Sequence, residues 1–316
     1  MNAPARLGVF GAGLALVFGV AVAAGNAVGP VHAGPPASGT MDHGAGDAGS
    51  VSTSGGAGGH GGSGMGMADG MGMSDGMGMS GQPAGGLAVA AGELRLVVDE
   101  PVLPAGQEQA FAFRILGPDQ QAVTDFDPEQ GGVALHLVVV GRDLSGFQHL
   151  HPSMAVDGTW STPLTLVNPG AHRAFVDVTI DGRPHTLGTD LFVPGPFEPE
   201  PLPVPATTAG ADGYQVSLGS PPPVAGQEVE LGFSVARDGA PVADLEPYLG
   251  AGGHLVGLRQ GDLAYLHLHP DDGTGAGSGE VAFTGSFPSA GTYRLFLQFQ
   301  HEGVVRTTAF TVEVPR

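Results

Sequence analysis

The sequence contains no cysteine. Disulfides, thiolate nucleophiles, Cys-ligated zinc, iron–sulfur clusters and a lipoprotein attachment site are excluded by that alone. It contains no lysine either, and its 11 basic residues are scattered arginines. Such a chain has nothing with which to track a phosphate backbone, so nucleic acid is not an expected partner. Only 13% of residues are charged, acidic ones dominate, and the formal charge is −20. That balance suits a protein that stays soluble or attracts cations. Aromatic residues are few and mostly Phe, whereas Gly and Pro are abundant. Helical periodicity is missing throughout. The profile favours short strands joined by turns, in a chain long enough for two ordinary domains.

One long apolar run exists, residues 7–24, behind the single basic residue Arg6. It is long for the apolar core of a secretory signal and short for a spanning helix. "AVA" before Ala24 and "VHA" before Gly34 both resemble small-residue cleavage sites. Residues 1–33 are therefore expected to be a signal peptide or an N-terminal membrane anchor. Either way the remainder is extracytoplasmic, secreted or held at the membrane by that segment alone. Residues 34–86 are almost wholly Gly, Ser, Ala, Asp and Met. They offer too little apolar area to offset the entropy of ordering, so a disordered tether is expected.

From about Gly92 the pattern changes to short alternating runs, such as "ELRLVV", "QAFAFRIL" and "HRAFVDVTI", bounded by Gly, Pro, Asp or Asn. Seven or so such strands fill residues 87–195, the pattern of an antiparallel β-sandwich. A Pro-rich linker, residues 196–210, follows, and the strand pattern restarts over residues 211–316. The halves align with one another. "LPAGQEQAFAFRI" matches "PVAGQEVELGFSV", and "NPGAHRAFVDV" matches "SAGTYRLFLQF". The expected fold is all-β: two tandem Ig-like or cupredoxin-like antiparallel sandwiches behind a disordered arm.

The duplication carries a trio of histidines. His136, His149 and His151 align with His254, His267 and His269, at the same spacing from first to second. Residues two apart on a strand share a face, so His149 and His151 point the same way. A hairpin loop at residues 141–146 sets His136 across from His151, and a two-residue shift sets it across from His149. In both registers all three rings share a face, with opposed Cβ atoms about 4.5–5.5 Å apart. Three imidazoles at that spacing can converge on one ion. A turn at "RQGDL" gives the second half the same arrangement, so one three-His site per sandwich is expected. The competing reading is that these histidines cap turns or hydrogen-bond within the fold. His172, His185 and His301 have no histidine counterpart in the other half, and Asp177 aligns with Gln298.

The tether carries a second signal. "GMGMADGMGMSDGMGMS" supplies Met65, Met67, Met71, Met73, Met77 and Met79. A glycine tether gives methionine no core to fill, so packing does not explain the run. Thioether sulfur is a soft ligand that selects Cu(I), and it survives where thiolates are oxidised. His43, His60, Asp69 and Asp75 could add ligands. Copper, as Cu(I) or Cu(II), is the expected metal. Zinc suits three imidazoles equally but leaves the methionines unexplained.

"DLSGFQHLHPSMAVDGTWSTPLTL", "LGTDLFVPG" and "YLGAGGHLVGLRQGDLAYLHLHP" resemble a group of secreted or membrane-anchored actinobacterial proteins, often labelled heavy-metal binding. The resemblance spans the N-terminal segment and both sandwiches. It implies an extracytoplasmic place and a role in copper handling, with no reaction attached. Three functions follow. The first is a copper-binding protein for buffering, delivery or resistance, its partners the metal ion and another envelope metal-handling protein. The second is a metal-free Ig-like scaffold or binding module with structural histidines. The third is a three-His metalloenzyme, for which Asp143 and Asp262 in the hairpin loops are the nearest general bases.

Overall fold

Alternating strands bounded by turn residues produce two similar sandwiches. The computed structural model describes residues 85–271 and 278–315, apart from the side chains of Gln130, His267 and His269. The apolar N-terminal run and the methionine tract lie outside these residues. The first sandwich is built from β1 (Ala90–Ala91), β2 (Leu94–Val98), β3 (Gln109–Leu116), β4 (His136–Gly141), β5 (Gln148–Leu150), β6 (Ser153–Met154), β7 (Trp160–Leu164), β8 (Gly170–Ile180) and β9 (Arg183–Val193). The second comprises β10 (Thr208–Ala211), β11 (Tyr214–Leu218), β12 (Glu228–Arg237), β13 (Ala240–Pro241), β14 (His254–Arg259), β15 (Tyr265–His267), β16 (His269–Pro270), β17 (Glu280–Ser286), β18 (Gly291–His301) and β19 (Val304–Val314). One 3-10 turn, Gln130–Gly132, is the only helical element among the described residues. No helix among them is long and apolar enough to cross a membrane.

All paired strands in the four sheets are antiparallel. In the first sandwich the order β1-β2-β3-β7-β6 faces β5-β4-β8-β9, and in the second β10-β11-β12-β17-β16 faces β15-β14-β18-β19. Each sandwich closes on its own core. Phe111, Phe113, Ile115, Leu137, Val139 and Val176 are among the buried residues of the first. Val216, Leu231, Phe233, Leu255, Leu297 and Phe299 are among those of the second.

A third apolar cluster joins the two sandwiches, which belong to one compact unit. Val138, Val140, Leu144 and Phe175 meet Val256, Leu258, Leu263, Tyr265 and Phe296. Strand parity explains the division. Leu137 and Val139 of β4 point into their own sandwich, whereas His136, Val138 and Val140 point outward. Every residue of β4 is buried, because the outward face is covered by the equivalent face of β14. A strand buried on both faces reads as a continuous apolar run, as "LVVV" does. At the seam Phe147 stacks on Phe296 with centroids 4.1 Å apart, and Phe175 meets Tyr265 at 5.2 Å.

Both hairpins that close the seam are built alike. Leu144 and Leu263 adopt positive φ, 68° and 61°, and both side chains are buried in the seam cluster. Left-handed backbone disfavours a non-glycine residue by about 1–2 kcal/mol. The preceding aspartates hold the turns: Ser145 N–H donates to Asp143 and Ala264 N–H to Asp262, both at 3.1 Å.

The disordered tether was expected to run through residue 86, but its end is held in the seam. Tyr265 N–H donates to Gly85 O at 3.2 Å, and Gly86 N–H to Thr186 O at 3.0 Å. Buried Arg173 donates to Gly86 O from Nε at 3.1 Å and from a terminal guanidinium nitrogen at 2.7 Å. Gly86 has φ +73°, and a Cβ there would lie 2.4 Å from the Phe175 ring. Glycine is the residue this entry point tolerates.

Candidate metal centre

The register at the first trio is the one in which His136 lies across from His151. β4 and β5 pair Leu137 with Leu150, Val138 with His149 and Val139 with Gln148. In the second sandwich β14 pairs Val256 with His267, the equivalent relation. His136 shares its parity with Val138 and Val140, and His254 with Val256 and Leu258. These rings therefore face the seam and not the interior of either sandwich.

That geometry brings a ring of repeat two to the histidines of repeat one. His136, His149 and His254 each offer a ring nitrogen, and the three nitrogens lie within 4.8 Å of one another. Two come from repeat one and the third from repeat two. The His254 ring stacks on His149 at 4.3 Å and on His136 at 5.2 Å between centroids. His151 stands beside them, its centroid 4.7 Å from that of His149 and 5.1 Å from that of His136. Its Nε2 is buried with no hydrogen-bond partner among the described residues. A buried nitrogen left so is unfavourable by about 1–3 kcal/mol. His267 and His269 occupy the matching backbone positions of β15 and β16. Met65, Met67, Met71, Met73, Met77 and Met79, together with His43, His60, Asp69 and Asp75, lie outside the described residues.

A short polar chain runs through the group. His136 Nδ1 lies 2.8 Å from His149 Nε2, and His149 Nδ1 lies 2.6 Å from Gln298 Oε1. Gln298 in turn donates through Nε2 to Thr307 Oγ1 at 3.3 Å. Asp177 and Gln298 hold equivalent positions, opposite His136 on β8 and opposite His254 on β18. Both are buried. Thr186 Oγ1 donates to Asp177 Oδ1 at 2.8 Å.

Burial pushes the His149 imidazole down to about 3, and neighbouring His136 adds to the effect, while the bond to Gln298 opposes it. Burial also lowers His151. Rings kept neutral are in the protonation state that a metal ligand requires. Ligand nitrogens about 2.0–2.1 Å from a tetrahedral ion stand about 3.3 Å apart. The His136–His149 contact is shorter than that, so an ion would take the place of the shared proton with a small opening of the pair.

The other sequence candidates fall elsewhere. His172 is buried on β8 beside Gly141 and Leu191, and His185 sits on β9 across from Val178. His301 lies between the Tyr214 hydroxyl, 2.8 Å from Nδ1, and Asp244 Oδ1, 3.1 Å from Nε2. Asp143 and Asp262 lie at the hairpin tips, at the far end of β4 and β14 from His136 and His254. Burial raises the Asp143 carboxyl, but hydrogen bonds from Glu200 and Ser145 outweigh it and hold it below the ordinary value. Arg259 holds Asp262 low. Both carboxylates are turn locks and neither faces the histidine group. Gln298, which bonds His149, shows in the sequence only as the partner of Asp177 in the repeat alignment.

The fold and this group define a class: a tandem β-sandwich protein with a cluster of imidazoles between its two repeats. The chain belongs to the family described as Domain of unknown function (DUF8832), whose profile matches twice, over residues 89–195 and 207–316. Compared with curated proteins, it has no match. Among solved structures it is similar to FdeC, an Escherichia coli adhesin, at 17% identity and a TM-score of 0.25, over 72% of this chain and 66% of that one, just under two thirds. It is similar to domains 4 and 5 of the S-layer protein SbsC at 14% identity and a TM-score of 0.22, over 71% of this chain and 98% of that one. Yersinia pseudotuberculosis InvD is similar at 12% identity and a TM-score of 0.24, over 70% of this chain and 57% of that one.

Proposed function

We propose that this protein is an extracytoplasmic metal-binding module that holds a copper ion between its sandwiches and collects Cu(I) on its methionine tract. The observation that carries the reading is the set of three ring nitrogens, His136, His149 and His254, gathered within 4.8 Å from both repeats. The depressed pKa of His149 and the buried Nε2 of His151, without a hydrogen-bond partner among the described residues, support it. His267 and His269 stay in the proposed ligand set through their matching places on β15 and β16. The tract methionines support copper over zinc, because thioethers are poor zinc ligands and good Cu(I) ligands. The apolar segment before the tether supports export, with membrane contact through that segment alone. Buffering, delivery to another envelope metal-handling protein, or resistance would need only ligand exchange and no reaction.

A second reading is favoured by one observation. The chain from His136 through His149 to Gln298 satisfies ring nitrogens without a metal, as a metal-free scaffold module with structural histidines would. Titration of the chelator-stripped full chain with Cu(I), Cu(II) and Zn(II) separates the two. The copper reading expects Cu(I) to bind beyond one equivalent. Replacing all six tract methionines by Ser should leave the seam ion alone, and a His149→Ala/His254→Ala variant should lose it. A wild-type chain that retains none of the three metals leaves the scaffold reading standing.

A further inference from the structure

We infer that Gln298 is the positioning residue of the seam: it fixes His149 with its proton on Nδ1, so that Nε2 presents a lone pair to the ion. The inference rests on the metal-binding reading for the ion and on geometry alone for the proton. An amide oxygen can only accept a hydrogen bond. Gln298 Oε1 lies 2.6 Å from His149 Nδ1, and the amide nitrogen is turned away toward Thr307 Oγ1. His149 must therefore donate from Nδ1, and its Nε2 is left as an acceptor. The 2.8 Å contact then runs from His136 Nδ1–H to His149 Nε2. One amide on β18 thus sets the tautomer of two imidazoles on the other repeat.

The duplication sharpens the assignment. Position 177 in repeat one and position 298 in repeat two face the seam at equivalent places. Asp177 is one methylene shorter and takes the hydroxyl of Thr186 on the neighbouring strand. Gln298 reaches His149 of the opposite repeat. Partners behind a metal-bound imidazole orient the ring and fix its tautomer, and losing one typically weakens metal binding about 10–100-fold. Gln298 occupies that place for His149. The ligand and the residue that orients it come from different sandwiches, so the seam must be assembled before the ligand is in its binding form.

The tautomer can be read without metal. Long-range proton–nitrogen correlation spectra of the 15N-histidine-labelled, metal-free full chain report which nitrogen of each ring carries the proton, with a His149→Gln chain assigning the signal. The wild type is expected to show His149 protonated on Nδ1. Gln298→Leu, similar in volume but without the acceptor, is expected to move or mix that signal and to raise the Kd for Cu(II) or Zn(II) about 10–100-fold. Gln298→Glu keeps an acceptor at the same reach and is expected to restore both the signal and the binding, which a packing role would not predict. A wild-type His149 protonated on Nε2 overturns the inference outright. So does a Gln298→Leu chain that remains folded and binds metal as the wild type does. A wild type that shows the Nδ1 proton yet binds no metal supports the tautomer assignment and instead overturns the metal-binding reading.

Discussion

Repeat one faces the seam with Arg173, Phe175 and Asp177 on β8, and repeat two with Arg294, Phe296 and Gln298 at the equivalent places on β18. The middle pair does the same work twice. Phe175 and Phe296 are both buried and both pack against an aromatic ring at the seam, Phe296 stacked on Phe147 and Phe175 tilted against Tyr265. The flanking pairs have diverged. Arg173 holds the entering chain through Gly86 O and pairs with Asp190 at 2.9 Å. Arg294 donates to Thr311 Oγ1 at 2.8 Å. Asp177 accepts from Thr186 on its own sheet, and Gln298 reaches His149 of the other repeat. The entering chain meets the two repeats through different groups: Tyr265 of repeat two bonds Gly85 O, whereas Arg173 of repeat one bonds Gly86 O, so a two-fold arrangement of backbone meets unequal demands on polar groups. Apolar packing keeps the symmetry and hydrogen bonding breaks it.

The apolar half of the comparison gives the largest effect. Phe175→Ala and Phe296→Ala should each destabilise the chain by about 3–5 kcal/mol in urea unfolding, and by similar amounts. A large loss from only one of them would mean that the repeats do not share the seam equally.

Much of the fold was legible in the residues. The alternating runs, the duplication and the parity of His136 with His149 and His151 all follow from a period of two and from turn chemistry. The seam was not legible, although a signal existed. After His136, "LVVV" has no polar residue for a solvent face, and the same place in repeat two reads "LVGL". A strand of this kind wants cover on both sides. The role of Gln298 was invisible, since it depends on which sheets face one another. The hold on Gly86 was hidden by composition, because a Gly-rich stretch reads as loose wherever it ends.

The polar half of the comparison should be smaller. Arg173→Met removes charge-assisted bonds to a buried carbonyl and should destabilise by about 2–3 kcal/mol. Arg294→Met loses one bond to a hydroxyl and should destabilise by about 1 kcal/mol. Equal losses would contradict the one-sided hold on Gly86.

Acid should then separate the repeats. His172 in repeat one corresponds to Tyr293 in repeat two, and burial lowers the His172 imidazole. A depressed pKa means that the unfolded chain binds the proton more readily. Its contribution to stability is present above the ordinary histidine pKa of about 6.5 and is lost as pH falls below it. For one proton the slope is at most about 1.4 kcal/mol per pH unit. His172→Tyr should flatten the fall in stability between about pH 6.5 and pH 4, relative to the wild type. An unchanged slope would remove His172 from the account.

The central claim is that the histidines of both repeats serve one seam. Zinc tests it most directly, because it favours imidazole and leaves the thioether tract aside. Calorimetric titration of the metal-free full chain with Zn(II) should give one tight equivalent, and His149→Ala and His254→Ala should each abolish that same event. Two tight equivalents in the wild type, with each variant losing only one, would contradict the claim and return the site to a separate trio in each sandwich.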